Sequence, residues 1–257
     1  LEMARAKLGK RREGPQEWLS DIKGWEEEWN EHIHPNITSD AVPIRPDRLV
    51  NDMREVMPDD AILLCDVGDH HGWMTKFWKG YQPRTQFQPW GFASMAFAVC
   101  GVLGAKLAAP DRVCVSLCGD GGFMMAPHIV STAVEYNIPA VWVIFNNYGY
   151  NVIRNLQLFK FQGREIMTSF YREKTGELFN PDFAAMAKSM GAEGVRVDKP
   201  NDFKPAFDEA IRSEGPYVLD VIIDREIKLP GVGTTWEMPP LPVPEPMVLG
   251  KKRPFKK

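Results

Sequence analysis

The sequence predicts an α/β protein with a doubly wound, mostly parallel sheet that carries helices on both faces. Short β-rich runs alternate with longer helical runs from residue 46 to about residue 224. The β-rich runs are almost continuously apolar, as is typical of parallel strands buried on both faces. With 257 residues, 44% hydrophobic and 25% charged, the chain can bury a substantial core. We therefore expect a ligand at the carboxyl edge of the sheet, where such folds bind them.

Apolar runs bounded by turn residues place the individual elements. Strands are predicted at Ala61–Cys65, Val113–Leu117, Ala140–Phe145, Gly194–Val197 and Tyr217–Ile223. Helices are predicted at Asp47–Met57, Ser94–Leu107, Pro127–Tyr136, Pro181–Met190 and Asn201–Ser213.

Two appendages flank this α/β domain, which we predict to span residues 46–228. Residues 1–45 are predicted to form a helical segment and a linker. The helix has one apolar stripe on a charged surface, formed by Trp18, Ile22, Trp25, Trp29 and Ile33. The stripe packs either on this chain's own body or on another chain. Residues 229–257 are too rich in proline for regular structure and predict an extended arm with a basic tail.

Composition narrows the classes of partner and compartment. The formal net charge of −3 gives no reason to expect nucleic acid or an acidic membrane surface as a partner. We read the basic residues near the C-terminus as a solvated end rather than a binding patch. The four cysteines lie in apolar runs without a CxxC pair, which predicts reduced core residues. No uninterrupted apolar run approaches 18 residues, so no membrane span is expected, and a cytoplasmic setting fits best.

The motif that points to a ligand is "CGDGG", residues 118–122, directly after a predicted strand. Its glycines, Gly119, Gly121 and Gly122, would let backbone N–H groups approach a phosphate closely. Asp120 would repel that phosphate unless a divalent cation lay between them. Carboxylate, amide and phosphate oxygens suit Mg²⁺ or Ca²⁺.

A second oxygen ligand is expected from the end of the next strand. Asn147 follows the strand predicted to end at Phe145, and one helical crossover brings neighbouring parallel strand ends together. Gly149 could add a backbone carbonyl from the tight turn. A lone GDG is a weak signal, whereas GDG and NN at successive strand ends is a specific one.

This spacing resembles the signature of thiamine diphosphate (ThDP) enzymes. Three longer stretches, residues 60–73, 91–112 and 180–226, are similar to the diphosphate-binding C-terminal domain of the acetolactate synthase group. That group includes 2-oxoacid decarboxylases, benzaldehyde lyase and 2-hydroxyacyl-CoA lyases.

The resemblance implies ThDP and Mg²⁺ as cofactors, and it implies roles for matching positions. Asp120, Asn147 and the carbonyl of Gly149 would hold Mg²⁺. Diphosphate contacts would come from the glycine loop and from Gly68 and His70, and Tyr150 would lie at the cofactor. Met95 would wedge between the two rings of the cofactor and keep it bent, so that the cofactor itself can lose its C2 proton.

Simpler roles compete with several of these. Met95 could be a core residue of its apolar helix. His70 and His71 could simply cap a strand end. His128 could act as a proton shuttle, but a histidine at the start of a helix is more often a surface or capping residue.

Four departures from the acetolactate synthase pattern indicate a divergent member. Asp69 stands where glutamine is usual, which brings a negative charge near the phosphates. Ala96 replaces a glycine and Cys100 a proline. Residues 126–130 lack the usual Gln-Glu pair.

In this family the cofactor binds between two domains of different subunits, and a glutamate of the other domain activates its pyrimidine. Only about 45 residues precede the α/β domain, too few for that second domain. We therefore predict a split enzyme, in which this chain is the small subunit of a hetero-oligomer with a dimeric core. The larger subunit would carry the pyrimidine-binding and middle domains. A fragment of a longer chain is the alternative.

The expected reaction is cleavage or formation of a C–C bond, or decarboxylation of a 2-oxoacid, with a 2-oxoacid or acyl-CoA as substrate. The Pro-rich arm and the basic tail are compatible with a 2-hydroxyacyl-CoA lyase. A non-catalytic stabilising or regulatory subunit is the alternative from another class.

Overall fold

The computed structural model describes residues 16–229, which form a six-stranded parallel sheet with helices on both faces. The predicted α/β class is confirmed. The strands are β1 (Ile62–Cys65), β2 (Gln86–Phe87), β3 (Cys114–Gly119), β4 (Val141–Asn146), β5 (Glu193–Val197) and β6 (Tyr217–Ile222). The helices are α1 (Gln16–Ile37), α2 (Pro46–Val56), α3 (Asp69–Phe77), α4 (Phe97–Ala108), α5 (Asp120–Phe123), α6 (Ile129–Glu135), α7 (Asn151–Lys160), α8 (Phe183–Ser189) and α9 (Pro200–Arg212).

The spatial order of the strands, β2-β1-β3-β4-β6-β5, determines where a crevice opens. The chain leaves β1 toward β2 on one side and then crosses to β3 on the other side. Such a change of direction separates the loops that follow the two central strands. The turns after β1 and β3 are therefore the expected place for a ligand.

Both faces of the sheet are buried, because alternate residues of each strand point to opposite sides. On one face, Leu63, Val143 and Leu219 pack with α2, α3 and α9. On the other face, Leu64, Trp142 and Val218 pack with α4, α6 and α8. Burial on both faces explains why these strands read as continuous apolar runs.

The apolar stripe of helix α1 is packed in its C-terminal half and exposed in its N-terminal half. Ile33 is buried, and the ring of Trp29 lies 5.8 Å from that of Phe77, between centroids. Trp18 and Trp25, in contrast, expose 57% and 59% of their surface. The helix also continues to Ile37, beyond the predicted end at Ile33.

Two further predictions fare differently. Cys65, Cys114 and Cys118 are buried as expected, but Cys100 is exposed, because it lies on the outer side of α4. No helix among residues 16–229 is long and apolar enough to cross a membrane. The predicted Pro-rich arm lies outside the described residues from residue 230 onward.

Two glycines test how tightly the sheet and its helices pack. A Cβ at Gly194 of β5 would lie 2.6 Å from the backbone oxygen of Ala184 in α8, whereas a Cβ at Gly104 of α4 would meet nothing within 4 Å. We expect Gly194→Ala to lower the free energy of unfolding by about 1–3 kcal/mol. The matched variant Gly104→Ala should raise it by about 0.5–1 kcal/mol, because alanine favours the helix. Urea unfolding measures both, and a neutral Gly194→Ala would show that α8 can move away from β5.

Candidate functional site

Asp120 lies at the carboxyl end of β3, where the strand passes directly into α5. Its side chain is buried, and burial raises its pKa to about 6. The N–H of Gly121 donates to Oδ1 over 2.8 Å, and the N–H of Gly149 donates to Oδ2 over 3.0 Å. These donors stabilise the carboxylate without neutralising it, so a cation beside it would be favourable.

The paired asparagines at the end of β4 have different surroundings. Asn146 is the last residue of the strand, and its amide donates to Oδ1 of Asp220 over 2.7 Å. Asn147 is buried, yet its Oδ1 has no hydrogen-bond partner. An unsatisfied buried oxygen costs free energy, so this atom is available to a ligand that the chain itself does not supply.

The residues present fit a hard divalent cation. Asp120 offers a buried carboxylate and Asn147 an unpartnered amide oxygen, and Mg²⁺ prefers oxygen ligands of these kinds. Among residues 16–229, no group of three or more His, Cys, Asp or Glu side chains could hold a metal. The carboxylate and amide oxygens at this strand edge suit Mg²⁺ better than a transition metal, which favours nitrogen or sulfur ligands.

Close packing explains why glycines form this site. A Cβ at Gly121 would lie 2.5 Å from Cε1 of Tyr150. At Gly149 it would lie 2.3 Å from the backbone oxygen of Thr168, which cannot move aside as a flexible side chain could. The turn that follows Asn147 therefore accepts only glycine at that position.

The turn after β1 brings His70 beneath the glycine loop. Its ring packs against Gly68, where a Cβ would lie 2.5 Å from Cε1, and against Gly119. Burial lowers the pKa of His70 to about 3, so the ring is neutral, and its Nε2 has no hydrogen-bond partner. His71 points elsewhere, because its Nε2 lies 2.7 Å from Oε1 of Gln88.

Comparison with known proteins identifies the family. Residues 66–221 match the family described as "Thiamine pyrophosphate enzyme, C-terminal TPP binding domain". The chain belongs to this family. ThDP is the cofactor of the family, and Mg²⁺ is its usual metal.

Relatives extend over most of this chain but only about a third of their own length. The chain is 36% identical over 203 residues to YdaP of Bacillus subtilis (strain 168), which is described as a thiamine pyrophosphate-containing protein; the match covers 79% of this chain and 34% of YdaP. It is 30% identical over 212 residues to an acetolactate synthase of the same strain, covering 82% and 35%. The ThDP-dependent 4-hydroxybenzoylformate decarboxylase of Rhodococcus jostii RHA1 shares the fold, with a TM-score of 0.65 and 24% identity, covering 73% of this chain and 34% of that one.

Met95 lies in a turn and not in the predicted helix, because the helix begins only at Phe97. The turn is held by Asp66, whose Oδ2 accepts from the N–H of Ala96 over 2.8 Å and whose Oδ1 accepts from Ala98 over 3.4 Å. Asp66 thus caps α4 from the end of β1. Met95 is half-buried beside this cap, which suits an apolar contact with a ligand.

The remaining predicted residues have these surroundings. Tyr150 is partly exposed, and its ring meets that of Phe170 edge to face at 4.9 Å between centroids. His128 is exposed at the start of α6. The carboxylate of Asp69, one of the four departures described above, accepts from Trp73 Nε1 and from Asn151 Nδ2, each over 3.2 Å.

Three polar residues of the site escaped the sequence analysis. Asp66, Asp220 and Asn180 all contact the loops at the strand ends. Asp66 and Asp220 stand within or next to apolar strands, which is the one signal that could have found them. Asn180 lies 60 residues from its partner Asp120 and belongs to no motif.

Ala96 allows a test of the turn at Met95. Its φ of 67° is a left-handed conformation that disfavours side chains with a Cβ. We expect Ala96→Gly to raise the free energy of unfolding by about 1 kcal/mol, because it removes this strain. The same exchange inside α4, Ala105→Gly, should lower it by about 1 kcal/mol. Urea unfolding of both variants gives the comparison, and equal signs would contradict the strained turn.

The neutral, buried His70 predicts a pH dependence. Because its pKa is lowered to about 3 from an ordinary value of 6.5, the unfolded chain takes up the proton first. Its stabilising contribution is complete above pH 6.5 and is lost as the pH falls toward 3. At pH 4.5 we expect a loss of about 2–3 kcal/mol from this residue. In His70→Gln this loss of unfolding free energy at low pH should disappear. His128→Gln changes an exposed histidine and should show the same loss as the unmodified protein. Urea unfolding at pH 6.5 and 4.5 measures the difference.

Proposed function

We propose that the chain is the diphosphate- and Mg²⁺-binding small subunit of a split ThDP enzyme of the acetolactate synthase type. The reaction would cleave or form a C–C bond, or decarboxylate a 2-oxoacid. One observation carries the proposal: the buried Asp120 carboxylate and the unpartnered Asn147 oxygen lie at adjacent strand ends above a glycine loop. That arrangement suits a cation that bridges to a diphosphate.

In this role, different residues would hold the metal, bind the phosphates and support the organic part of the cofactor. Asp120 and Asn147 would hold the metal. The N–H groups of Gly121 and Gly122 would bind phosphate oxygens, as N–H groups in glycine loops do. Met95 would support the organic part of the cofactor. When bound, ThDP supplies an electron sink for the substrate carbons.

Exposed apolar side chains support a partner subunit. They follow the carboxyl ends of β2 and β3: Trp90 and Phe92 expose 72% and 99% of their surface, and Met124 and Met125 are also exposed. Large apolar surfaces of this kind mark interfaces with other chains. The partner would cover this edge and supply the catalytic glutamate.

The metal clamp is tested by calorimetric titration of the full chain with Mg²⁺ in the presence of ThDP. We expect Asp120→Ala and Asn147→Ala each to weaken Mg²⁺ binding by about 100-fold. Removal of a direct ligand should cost at least as much affinity as removal of a residue that only supports a ligand. Asp111→Ala is the matched control, since this exposed carboxylate precedes β3 at its opposite, amino end. Unchanged affinity in Asp120→Ala would overturn the metal assignment.

The partner is tested by native mass spectrometry of the chain co-expressed with a candidate larger subunit. A hetero-oligomer that turns over a 2-oxoacid or a 2-hydroxyacyl-CoA is the expected result. A homo-oligomer of this chain that is fully active alone would refute the split enzyme. An assembly that binds ThDP but turns over none of these substrates would favour a non-catalytic subunit.

A further inference from the structure

A chain of hydrogen-bonded amide and carboxylate groups leads away from the candidate metal ligand Asp120. Nδ2 of Asn180 donates to Oδ2 of Asp120 over 2.7 Å and to Oδ1 of Asn146 over 2.8 Å. Nδ2 of Asn146 then donates to Oδ1 of the fully buried Asp220 over 2.7 Å. Asp220 lies within β6, Asn146 ends β4 and Asp120 follows β3, so these hydrogen bonds join three neighbouring strands.

The hydrogen bonds distinguish the two oxygens of Asp120. Oδ2 accepts from Asn180 over 2.7 Å and from the N–H of Gly149 over 3.0 Å, whereas Oδ1 accepts from the adjacent Gly121 over 2.8 Å; the N–H of Tyr148 also stabilises the carboxylate. An oxygen held by two donors has little capacity left for a cation. Oδ1 is therefore the oxygen that remains available for a metal, and Asn180 orients the carboxylate so that this oxygen is presented.

Asn180 also closes a segment that is already attached to the other metal ligand. The segment comprises residues 161–180. The N–H of Tyr150 donates to the oxygen of Thr168, and the N–H of Phe170 donates to the oxygen of Tyr148, so the segment is paired with the turn after Asn147. Further on, Phe179 donates its N–H to Phe170, which folds residues 170–179 back on themselves.

We propose that Asn180 is a positioning residue of the metal clamp and that it couples metal binding to the ordering of residues 161–180. The inference rests on the proposed function only through the assignment of the metal to Asp120 and Asn147. Residues that hold a metal ligand in place affect metal affinity although they never touch the metal. By linkage, a metal that requires the oriented Asp120 must in turn stabilise the segment that orients it.

The coupling has a chemical consequence for the site. Residues 161–180 expose apolar side chains, among them Ile166 and Met167, at 72% and 88% of their surface. They follow the α7 helix, which begins directly after the metal turn, and in this proposal they would form a wall of the site beside the diphosphate. Loading with metal and diphosphate would thus fix the wall that a substrate meets.

The first measurement is calorimetric titration of the full chain with Mg²⁺ and inorganic diphosphate, which needs no organic part of the cofactor. Asn180→Ala should weaken binding by about 10–100-fold. The matched control is Asp182→Ala, two residues away. Asp182 caps α8 by accepting from Ala185 N–H over 2.9 Å, and it does not hydrogen-bond to Asp120. That variant should lose stability by about 1 kcal/mol and keep its metal affinity.

The second measurement is amide hydrogen exchange in residues 168–179 with and without Mg²⁺ and inorganic diphosphate. In the unmodified protein, exchange should slow on addition of the two ligands, and in Asn180→Ala the slowing should be lost. A purely structural role of Asn180 would change exchange in the ligand-free protein and leave the response to the ligands intact.

The outcomes separate this inference from the proposed function. If the unmodified chain binds no Mg²⁺ with diphosphate, the metal assignment fails and the inference fails with it. If the unmodified chain binds and Asn180→Ala binds equally well, only the inference is overturned. Equal losses of affinity in Asn180→Ala and Asp182→Ala would also overturn it, because they would trace the effect to the stability of α8.

Discussion

The parallel pairing of β3 with β4 is the constraint on which the site depends. Its register aligns Gly119 with Phe145, so Asp120 leaves one strand at the level where Asn146 ends the other. A slip of one residue would turn every side chain of a strand to the opposite face and separate the carboxylate from the amide oxygen. The apolar residues of both faces, which fix this register, therefore also fix the geometry of the polar edge.

Burial at that edge explains the chemistry of its carboxylates. Asp66, Asp120 and Asp220 all follow or lie in buried strands, and burial raises the pKa of each. Backbone N–H groups of the turn before α4 surround Asp66, and the amide of Asn146 binds Asp220. Asp120 differs because a buried, unpartnered amide oxygen belongs to the same edge. Both oxygens of Asp66 and of Asp120 accept hydrogen bonds within the chain, whereas Oδ2 of Asp220 has no hydrogen-bond partner. A cation at the edge would therefore complete the unpartnered oxygen of Asn147 beside the Asp120 carboxylate.

How much of this the sequence predicts depends on the range of each signal. The five longer strands are predictable because burial on both faces leaves apolar runs, and GDG with NN is predictable because both motifs end adjacent strands. Helix α3, "DHHGWMTKF", is short and its apolar residues are only Trp73, Met74 and Phe77, so no helix was predicted there, and the two-residue β2 is too short for a pattern. The start of α4 was placed too early, since the apolar pattern continues through a turn capped by Asp66. Asn180 could not be predicted from the sequence, because its role arises only from a tertiary contact with a residue 60 positions away.

The distribution of exposed aromatic residues bears on what completes the site. Reactions that depend on charge stabilisation need water excluded from the reacting groups. Asp120 and Asn147 are themselves buried, but the residues that follow β2, Trp90 and Phe92, face solvent within residues 16–229. Side chains of this size normally gain about 1.5–3 kcal/mol each when buried, so leaving them exposed is unfavourable for an isolated domain. The same holds for Trp18 and Trp25 on α1, whose stripe continues past the point where this domain supports it. In the proposed assembly, a second chain over the carboxyl edge would bury Trp90 and Phe92 and exclude water from the metal clamp with one interface.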